Sequence, residues 1–459
     1  MKHESSSISG SSVRKSGAKT MARAARGAAA KRCVLAYSGG LDTTTIVVWL
    51  RERGYEVHAV LVDVGQGEDM QALCQKALRL GAKTAIIRDA RPAMYESILP
   101  WAIRLGATYE GVYRLGTALA RPFIAAEQVR LARSLGGATL IHGATGKGND
   151  QIRFEFAYRS LAPGYPVLAP WKVWELTGRA DMIAFLRAHG IEDEFELTKT
   201  YSLDENLWHL SVEGGAMEDP TATVNVGEIL NSVSDRFAGG VTRRPAPTSL
   251  ELVFENGVPV ALDGRELSLE GVLSGLNRTY RAAPWAWDLI IENRFTGIKS
   301  RGLYINPAAK LLGLAVDALA RSCLNKTAFD LYADLGRQYG NTIYRGEYFS
   351  DQRRMIEAAA GPIVDRLNGV VNNSLDPTPH VCRIQAPGAI FSKDGATFEA
   401  SDFSHDDAGG FIRLAWLSSA GRGFEEEIDG GIVATGDLAS SDVPGNQQLP
   451  QTGLVPAAV

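Results

Sequence analysis

Between Arg32 and Gly143 the chain alternates short apolar runs with segments in which apolar residues recur every three or four positions. The runs RCVLAYS, YEVHAVLVDVG, KTAIIRD and ATLIHG predict buried strands, and the segments between them predict helices, two of which stop at Gly54 and Gly81. Strands separated by helices predict a parallel sheet with helices on both faces. Ligands of such sheets bind beyond the carboxyl ends of the strands, where SGG and HGATGKGND stand in this chain.

After about Thr198 the pattern becomes less regular. The stretch LELVFENGVPVALDGRELS predicts a β-hairpin with Asn256 and Gly257 in its turn, because apolar residues alternate on either side. The segments PAAKLLGLAVDALARSCL and SDQRRMIEAAAGPIVDRLNGVV predict helices, and HVCRIQAPGAIFSKDGATFEA predicts a further β-rich region. We therefore expect an α+β domain here.

The two ends differ in composition from the rest of the chain. Residues 1–31 are rich in Ser, Ala, Arg and Lys, with Glu4 as the only acid, and predict a disordered basic leader. Residues 425–459 are dominated by Gly, Ser, Pro and Gln and predict a mobile tail. Between these ends we expect a nucleotide-binding domain over 32–198 and a second domain over 199–424.

Composition narrows the classes of function. The 48 basic and 52 acidic residues give a formal net charge of -4, so no nucleic-acid partner is expected. No apolar stretch is long enough for a membrane span. The four cysteines form no CxxC pair and the seven histidines no HxxxH pair, so we expect no bound metal of the zinc type and no disulfide framework. A reducing cytoplasm fits this cysteine usage.

The stretch VLAYSGGLDTTTIVVWL places two glycines between a strand and a helix. The backbone N–H groups at such a helix start attract anions, above all phosphate. The residue order is neither GxxxxGK[ST] nor GxGxxG, which excludes two common phosphate loops. Hydroxyls at Ser38, Thr43 and Thr44 suit a pyrophosphate, and Asp42 suits either Mg²⁺ or the turn itself. The alternative is a plain turn with Thr43 as the helix N-cap.

A second polar and Gly-rich stretch, HGATGKGNDQIRFE, runs from His142 to Glu155. If a helix begins near Asn149, then Asn149 and Arg153 lie on the same face. Asp150 would accept from an ammonium group, and Thr145, Asn149 or Arg153 would donate to carboxylates, so the stretch suits an amino acid. The alternative is a loop with a capping Asn and a surface salt bridge of Arg153.

These strings resemble known families. SGGLDT resembles the pyrophosphate loop of the N-type ATP pyrophosphatases, and HGATGKGNDQIRFE is similar to the signature of the argininosuccinate synthase family. Further similar strings follow in the family's order, namely AYSGGLDT, YRLGTALARP, APW, YSLDENLWHLSVEGG, ENRFTGIKSRGLY and, more weakly, DDAGGFIRL. The resemblance spans Arg32 to Leu414 and is dense up to Tyr304.

The resemblance implies a fold and a reaction. The fold is α/β, with an adenine nucleotide alpha hydrolase-like parallel-sheet domain followed by an α+β synthetase and multimerisation domain, assembled as a homotetramer. The reaction uses ATP, with Mg²⁺, to adenylate the ureido oxygen of citrulline and release pyrophosphate. The α-amine of aspartate then displaces AMP and argininosuccinate forms, a step of arginine biosynthesis.

The resemblance also implies roles for individual residues. ATP would be bound by Ala36, Tyr37, Ser38, Gly39, Gly40, Leu41, Asp42, Thr43, Thr44, Val62 and Gly143. Aspartate would be bound by Thr145, Asn149 and Asp150. Citrulline would be bound by Tyr113, Asn149, Arg153, Ser202, Ser211, Glu292 and Tyr304. No side-chain nucleophile is required, so catalysis rests on positioning and charge, for which we expect Asp42, Asp150 and Arg153 to be most critical.

Three of these residues have a structural alternative when each is taken alone. Tyr113 suits an ordinary half-buried tyrosine, and Ser202 suits a helix cap. Glu292 suits a salt bridge with Arg294 or Arg301.

Two positions depart from the family's usual pattern. Ala118 stands where the family commonly has Ser, which removes a hydroxyl near the expected citrulline pocket, and Asp63 stands where Asn is frequent. They leave open the alternative that this protein is a relative of the family that uses the same ATP and aspartate chemistry on another ureido compound. A non-catalytic binding protein would be expected to lose SGGLDT or GKGND, which are intact, and a tRNA-thiolating relative would need a reactive cysteine.

Overall fold

The computed structural model describes residues 31–146, 148–191, 201–232, 247–392, 405–419, 427–428 and 431–432. They belong to two compact units, Met1–Ile390 and Phe391–Val459. The leader predicted over 1–31 lies outside the described residues except for Lys31, and so does most of the tail predicted over 425–459.

The first part of the larger unit contains a five-stranded sheet, made of the four predicted strands and a short fifth strand that was not predicted. Its strands are β1 (Lys31–Ala36), β2 (Tyr55–Asp63), β3 (Thr84–Asp89), β4 (Thr139–Ile141) and β5 (Val167–Leu168). Their order is β3-β2-β1-β4-β5, and every neighbouring pair is parallel. The predicted α/β class with a parallel sheet is confirmed.

Seven helices accompany this sheet. They are α1 (Leu41–Glu52), α2 (Met70–Arg79), α3 (Arg91–Glu96), α4 (Ile98–Arg104), α5 (Gly116–Ser134), α6 (Asp150–Leu161) and α7 (Arg179–Ala188). Alternate residues of one strand point to opposite faces. Accordingly, Val34 joins the core cluster that contains Leu119 of α5, whereas Leu35 joins the cluster that contains Ile46 of α1. Both faces of the sheet are therefore covered.

The second part of the larger unit is antiparallel. Its strands are β6 (Tyr201–Glu205), β7 (Leu210–Gly214), β8 (Ser249–Glu255), β9 (Val258–Leu262), β10 (Arg265–Glu266), β11 (Trp287–Asn293), β12 (Lys299–Ile305), β13 (Gly369–Ser374) and β14 (His380–Gln385). They form a four-stranded sheet in the order β11-β12-β7-β6 and a five-stranded sheet in the order β10-β9-β8-β13-β14. The predicted hairpin is confirmed, since Asn256 and Gly257 join β8 to β9 with φ of 50° and 73°.

The remaining helices are α8 (Val226–Ser232), α9 (Leu269–Tyr280), α10 (Pro307–Cys323), α11 (Lys326–Tyr344), α12 (Asp351–Val364) and, in the smaller unit, α13 (His405–Ser419). The smaller unit also contains β15 (Glu427–Ile428) paired with β16 (Gly431–Ile432). None of the helices described here combines the length and the apolar character that a membrane crossing requires.

The four-stranded sheet presents one polar face, which its register defines. Tyr304 of β12 lies opposite Ser211 of β7, which lies opposite Asp204 of β6. Because side chains alternate along each strand, Glu213 and Ser202, which face each other across β7 and β6, lie on the same face. Residues separated by up to about a hundred positions thus meet on one surface.

Candidate active site

A cavity of about 310 Å³ lies where β1 and β2 end. Seven of the eleven residues predicted to bind ATP line it, namely Ala36, Tyr37, Ser38, Asp42, Thr43, Val62 and Gly143. It occupies the place that a parallel sheet offers to ligands, beyond the carboxyl ends of its strands.

The loop between β1 and α1 is built for close approach. Gly39 has a φ of 75°, and a Cβ there would lie 2.3 Å from Cδ2 of Leu73, so a side chain does not fit. Gly40 is the residue at the N-cap of α1, and no side chain caps this helix. The alternative with Thr43 as the cap is therefore wrong: Thr43 lies inside the first turn and donates to the carbonyl of Gly40 at 3.3 Å. The uncapped helix start is suited to phosphate.

Two predicted ATP residues support the loop from inside. The side chains of Leu41 and Thr44 are buried and are not among the described residues that line the cavity. The hydroxyl of Thr44 donates to the carbonyl of Gly39 at 3.3 Å. The ammonium of Lys76, which the sequence did not single out, donates to the same carbonyl at 3.2 Å. These contacts fix the backbone that faces the cavity.

A second cavity, of about 290 Å³, adjoins the first. All the residues predicted to bind aspartate and citrulline line it, namely Tyr113, Thr145, Asn149, Asp150, Arg153, Ser202, Ser211, Glu292 and Tyr304. The two cavities share Asp42, Gly143, Ala144, Asp150 and Asp204 as lining residues. The structure thus brings the Gly-rich stretch after β4 and the polar face of the four-stranded sheet to one place.

Asp150 is held between two arginines at the junction of the cavities. Its carboxylate accepts from Nε of Arg121 and from Nη1 of Arg153, both at 2.9 Å, and Arg121 also pairs with Asp204. Burial raises the pKa of Asp150, but the charges of Arg121 and Arg153 outweigh it and keep that pKa below its usual value. Arg121 was missed at the sequence level, although it belongs to the string YRLGTALARP that carried the resemblance.

Asn149 and Arg153 are oriented by residues far away in the sequence. Asn149 directly precedes α6, as predicted, and its amide donates to the hydroxyl of Tyr344 at 2.8 Å and accepts from the N–H of Phe295 at 2.8 Å. Nε of Arg153 donates to the carbonyl of Tyr344 at 3.0 Å. Only 4% of Arg153 is exposed, so the alternative of a surface salt bridge is wrong. No sequence signal pointed to Tyr344.

Two carboxyl groups line the second cavity: that of Glu292 is buried, and that of Glu213 is partly exposed. Burial, to which the negative charge of Glu213 adds, raises the pKa of Glu292 to about 7. Burial also raises the pKa of Glu213, which Arg294 approaches to 3.6 Å. One oxygen of Glu292 lies 3.4 Å from the hydroxyl of Tyr304, and the other is buried without a hydrogen bond among the described residues. Such a pair is poised for a cationic group of a ligand.

The other single-residue alternatives fail for Tyr113, for Ser202 and for the pairing of Glu292 with Arg301. Tyr113 is only 3% exposed and its ring lies 4.8 Å from that of Tyr304, so it is not half-buried. Ser202 lies on β6 and caps no helix. Arg301, the suggested partner of Glu292, donates instead to the carbonyl groups of residues 216, 217, 219 and 222.

The two residues that depart from the family pattern are not among the described residues that line the cavities. Ala118 is fully buried within α5 and is not among the described lining residues. The carboxylate of Asp63 accepts from the N–H of Gly65 at 2.8 Å and pairs with Arg91 at 3.3 Å, which closes the turn after β2.

Two family models match nearly the whole chain. Residues 32–192 match the argininosuccinate synthase N-terminal HUP domain, and residues 201–421 match the argininosuccinate synthase C-terminal domain. Among similar proteins, the argininosuccinate synthase of Moorella thermoacetica is 38% identical over 87% of this chain and 98% of its own. That of Erwinia tasmaniensis is 40% identical over 86% and 98%.

Similarity to solved structures is weaker. An NAD⁺ synthetase from Burkholderia pseudomallei is 22% identical over 39% of this chain and 68% of its own, with a TM-score of 0.25. The family models and the relatives indicate the same family as the strings found in the sequence, and residues of these strings line the two cavities. The chain belongs to the argininosuccinate synthase family of ATP-dependent ligases.

Proposed function

We propose that this protein joins citrulline to aspartate through a citrullyl-adenylate, with release of pyrophosphate and AMP. The observation that carries the proposal is that the two cavities share five lining residues, Asp42, Gly143, Ala144, Asp150 and Asp204. A nucleotide bound in the first cavity and a ureido acceptor bound in the second would therefore meet at the α-phosphate. Bringing the reactants together in this way is the main source of rate when no side-chain nucleophile is used.

ATP occupies the first cavity, with its phosphates at the start of α1. The uncapped helix and the Ser38 and Thr43 hydroxyls, 3.2 Å apart, supply donors to the phosphate oxygens. The backbone at Gly39 and Gly40 allows close approach, and Val62 lies on the strand beside the adenine. The buried side chains of Leu41 and Thr44 hold the loop in position.

The second cavity contains charged groups of both signs, which suit the ammonium and carboxylate groups of two amino acids. Its described charged lining residues are two arginines, Arg153 and Arg294, and five acids, Asp42, Asp150, Asp204, Glu213 and Glu292. The acids suit the α-ammonium groups of citrulline and aspartate, and the arginines suit their carboxylates. We assign Thr145, Asn149 and Asp150 to aspartate and Tyr113, Asn149, Arg153, Ser202, Ser211, Glu292 and Tyr304 to citrulline.

The reaction takes two displacements. In the first, the ureido oxygen attacks the α-phosphorus; the new O–P bond forms as the bond to the β-phosphate oxygen breaks, and pyrophosphate leaves. In the second, the amine nitrogen of aspartate attacks the ureido carbon, loses a proton, and AMP leaves with the ureido oxygen. The protein supplies orientation and charge in both steps.

Magnesium enters with ATP in this proposal. No three His, Cys, Asp or Glu side chains of the described residues are grouped so that they could hold a metal ion. Magnesium is commonly held by one or two carboxylates together with the phosphates of a nucleotide. Asp42, the only carboxylate between Ser38 and Thr44, fits that need, and the bound ion would offset phosphate charge.

Two wider expectations remain part of the proposal. A homotetramer is supported by the smaller unit, in which α13 exposes Phe411, Ile412, Leu414, Trp416 and Leu417, apolar side chains that a partner subunit would cover. A cytoplasmic location is supported by the four cysteines, all of them unpaired. We also keep the division into domains at 32–198 and 199–424.

The test is pyrophosphate release by the purified protein with Mg-ATP and aspartate. We expect release only when citrulline is added, with AMP and argininosuccinate accumulating in equal amounts. Release with another ureido compound but not with citrulline would favour the alternative acceptor. Absence of release with every acceptor, while ATP still binds, would favour a non-catalytic protein.

A further inference from the structure

We propose that Trp171 is a positioning residue that fixes one oxygen of Asp42 so that the other faces Mg-ATP. This inference rests on the proposed role of Asp42 in nucleotide binding. Trp171 does not line either cavity among the described residues and was singled out only as part of the string APW.

The contact joins two elements far apart in the sequence. Trp171 lies in the short 3₁₀ turn Pro170–Lys172 that follows β5, and its indole Nε1 donates to Oδ1 of Asp42 at 3.1 Å. An indole N–H can only donate, so this hydrogen bond requires an acceptor oxygen facing it. The contact therefore holds the carboxylate in one of its rotational positions.

Aromatic packing keeps the indole in place. The ring of Trp171 meets that of Trp174 edge to face with centroids 4.9 Å apart, and Trp174 meets Trp49 of α1 in the same way at 6.3 Å. Edge-to-face pairs at these separations are favourable arrangements. The donor is thus anchored to the same helix whose first turn carries Asp42, so donor and acceptor move together.

Asp42 needs such a restraint because of where it stands. It lies in the first turn of α1 and faces both cavities, beside the expected phosphates. A carboxylate free to rotate there would place negative charge against the phosphates in some positions. With Oδ1 held by Trp171, Oδ2 is left to face the magnesium that accompanies ATP.

The chain offers a matched control three residues away. Trp174 is buried and Trp171 is partly buried; they belong to the same aromatic group, but Nε1 of Trp174 has no hydrogen-bond partner among the described residues. Replacing either tryptophan by phenylalanine removes an indole N–H and part of a packed ring. Only at Trp171 does the change also remove a hydrogen bond to Asp42.

The experiment compares Trp171→Phe with Trp174→Phe by calorimetric titration with Mg-ATP in the absence of citrulline. A hydrogen bond to a charged group corresponds to a change of about 10- to 100-fold, so W171F should bind Mg-ATP at least about tenfold more weakly than W174F. In assays, W171F should raise the KM for ATP and leave the KM for aspartate within about twofold. Melting temperatures of the two variants check that both are folded.

Equal affinities for Mg-ATP in the two folded variants would overturn the inference. Asp42→Asn separates this from a failure of the proposed function. If D42N binds Mg-ATP weakly and W171F does not, Asp42 acts as proposed and Trp171 does not orient it. If D42N binds Mg-ATP normally, the role of Asp42 is wrong, and the role of Trp171 falls with it.

Discussion

The two halves of the larger unit build their parts of the site in different ways. The parallel half uses two segments, each a loop with the first turn of the helix that follows, in which Ser38, Asp42 and Thr43 and then Gly143, Asn149, Asp150 and Arg153 supply groups close in sequence. The antiparallel half uses one face of the four-stranded sheet, where Ser202, Ser211 and Tyr304 come together only through strand register. The first kind of site is fixed by local backbone geometry, and the second by long-range pairing.

Arg121 connects the two halves of the site, and its removal should have the largest effect on the free energy of unfolding. It lies on α5 of the parallel half and pairs with Asp150 of the same half and Asp204 of the antiparallel half. Arg121→Met would remove the counter-charge that Asp150 and Asp204 share and would leave Asp150 with Arg153 alone. Breaking a buried pair costs about 3–5 kcal/mol, so we expect a loss of that size in the free energy of unfolding, measured with urea.

The control for this variant is an ion pair on the surface. Arg337 pairs with Asp334 on α11 at 3.4 Å, and both side chains are 64% exposed. Arg337→Met should change the free energy of unfolding by less than about 1 kcal/mol, since exposed pairs contribute little. Equal losses in R121M and R337M would show that Arg121 does not hold the halves together.

Glu292 offers the next largest effect, because its charge favours ligand binding and opposes folding. Burial raises its pKa to about 7 from an ordinary value of 4.5. Between these values the folded protein keeps a proton that the unfolded chain has lost, so this group's contribution to stability falls as pH rises and levels off above about 7. Glu292→Gln removes that dependence.

We therefore expect E292Q without ligands to be more stable than the wild type at about pH 8, by about 2–3 kcal/mol, and nearly equal to it at about pH 4.5. Urea unfolding at both pH values measures this. The same variant should bind citrulline poorly, because it lacks the charge that faces an ammonium. A stability gain that does not grow with pH would contradict the assignment.

A smaller effect is expected at Gly302, which tests the register of the antiparallel face. A Cβ there would lie 2.9 Å from the hydroxyl of Tyr304, within the same strand. Gly302→Ala should displace this hydroxyl at a cost of about 1–2 kcal/mol, seen as a rise in the KM for citrulline of about tenfold. The KM for ATP should stay unchanged, because Tyr304 is not among the described residues that line the nucleotide cavity.

The difference between the halves also explains what the sequence could predict. Four strands of the parallel sheet and the Gly-rich loop before α1 were predicted from local apolar runs and glycines, and both are seen. Strands β6, β7, β11 and β12 were not predicted from periodicity, because polar residues interrupt their apolar runs, and some of these, such as Ser202, Ser211 and Glu292, line a cavity. Ser202 was consequently open to the interpretation of a helix cap.

Contacts made across the fold were beyond any local pattern. Arg121, Tyr344 and Trp171 orient residues that the sequence singled out, yet each acts on a partner at least 29 positions away. The resemblance to a family identified the residues that face the ligands. The residues that orient them were identified only from distances in the structure.

The smallest effect is expected in the parallel half, away from the site, at a charge pair that no ligand uses. Both ring nitrogens of His189 face acceptors, since Nδ1 lies 2.7 Å from the carbonyl of Phe185 and Nε2 lies 2.6 Å from Glu52. Only the protonated ring can donate from both nitrogens, and these contacts raise its pKa above the ordinary 6.5. Its stabilisation is therefore complete below about pH 6.5 and is lost as pH rises through the raised pKa.

His189→Gln should accordingly lower the free energy of unfolding by about 0.5 kcal/mol at about pH 5.5 and by much less at about pH 8.5. The value is small because the Glu52 side chain is 43% exposed, so water screens the pair. The cause of this pH dependence differs from that at Glu292. His189 gains a partner on folding, whereas Glu292 gains one only when a ligand binds. A loss that stays constant with pH would mean that His189 stabilises α7 by packing alone.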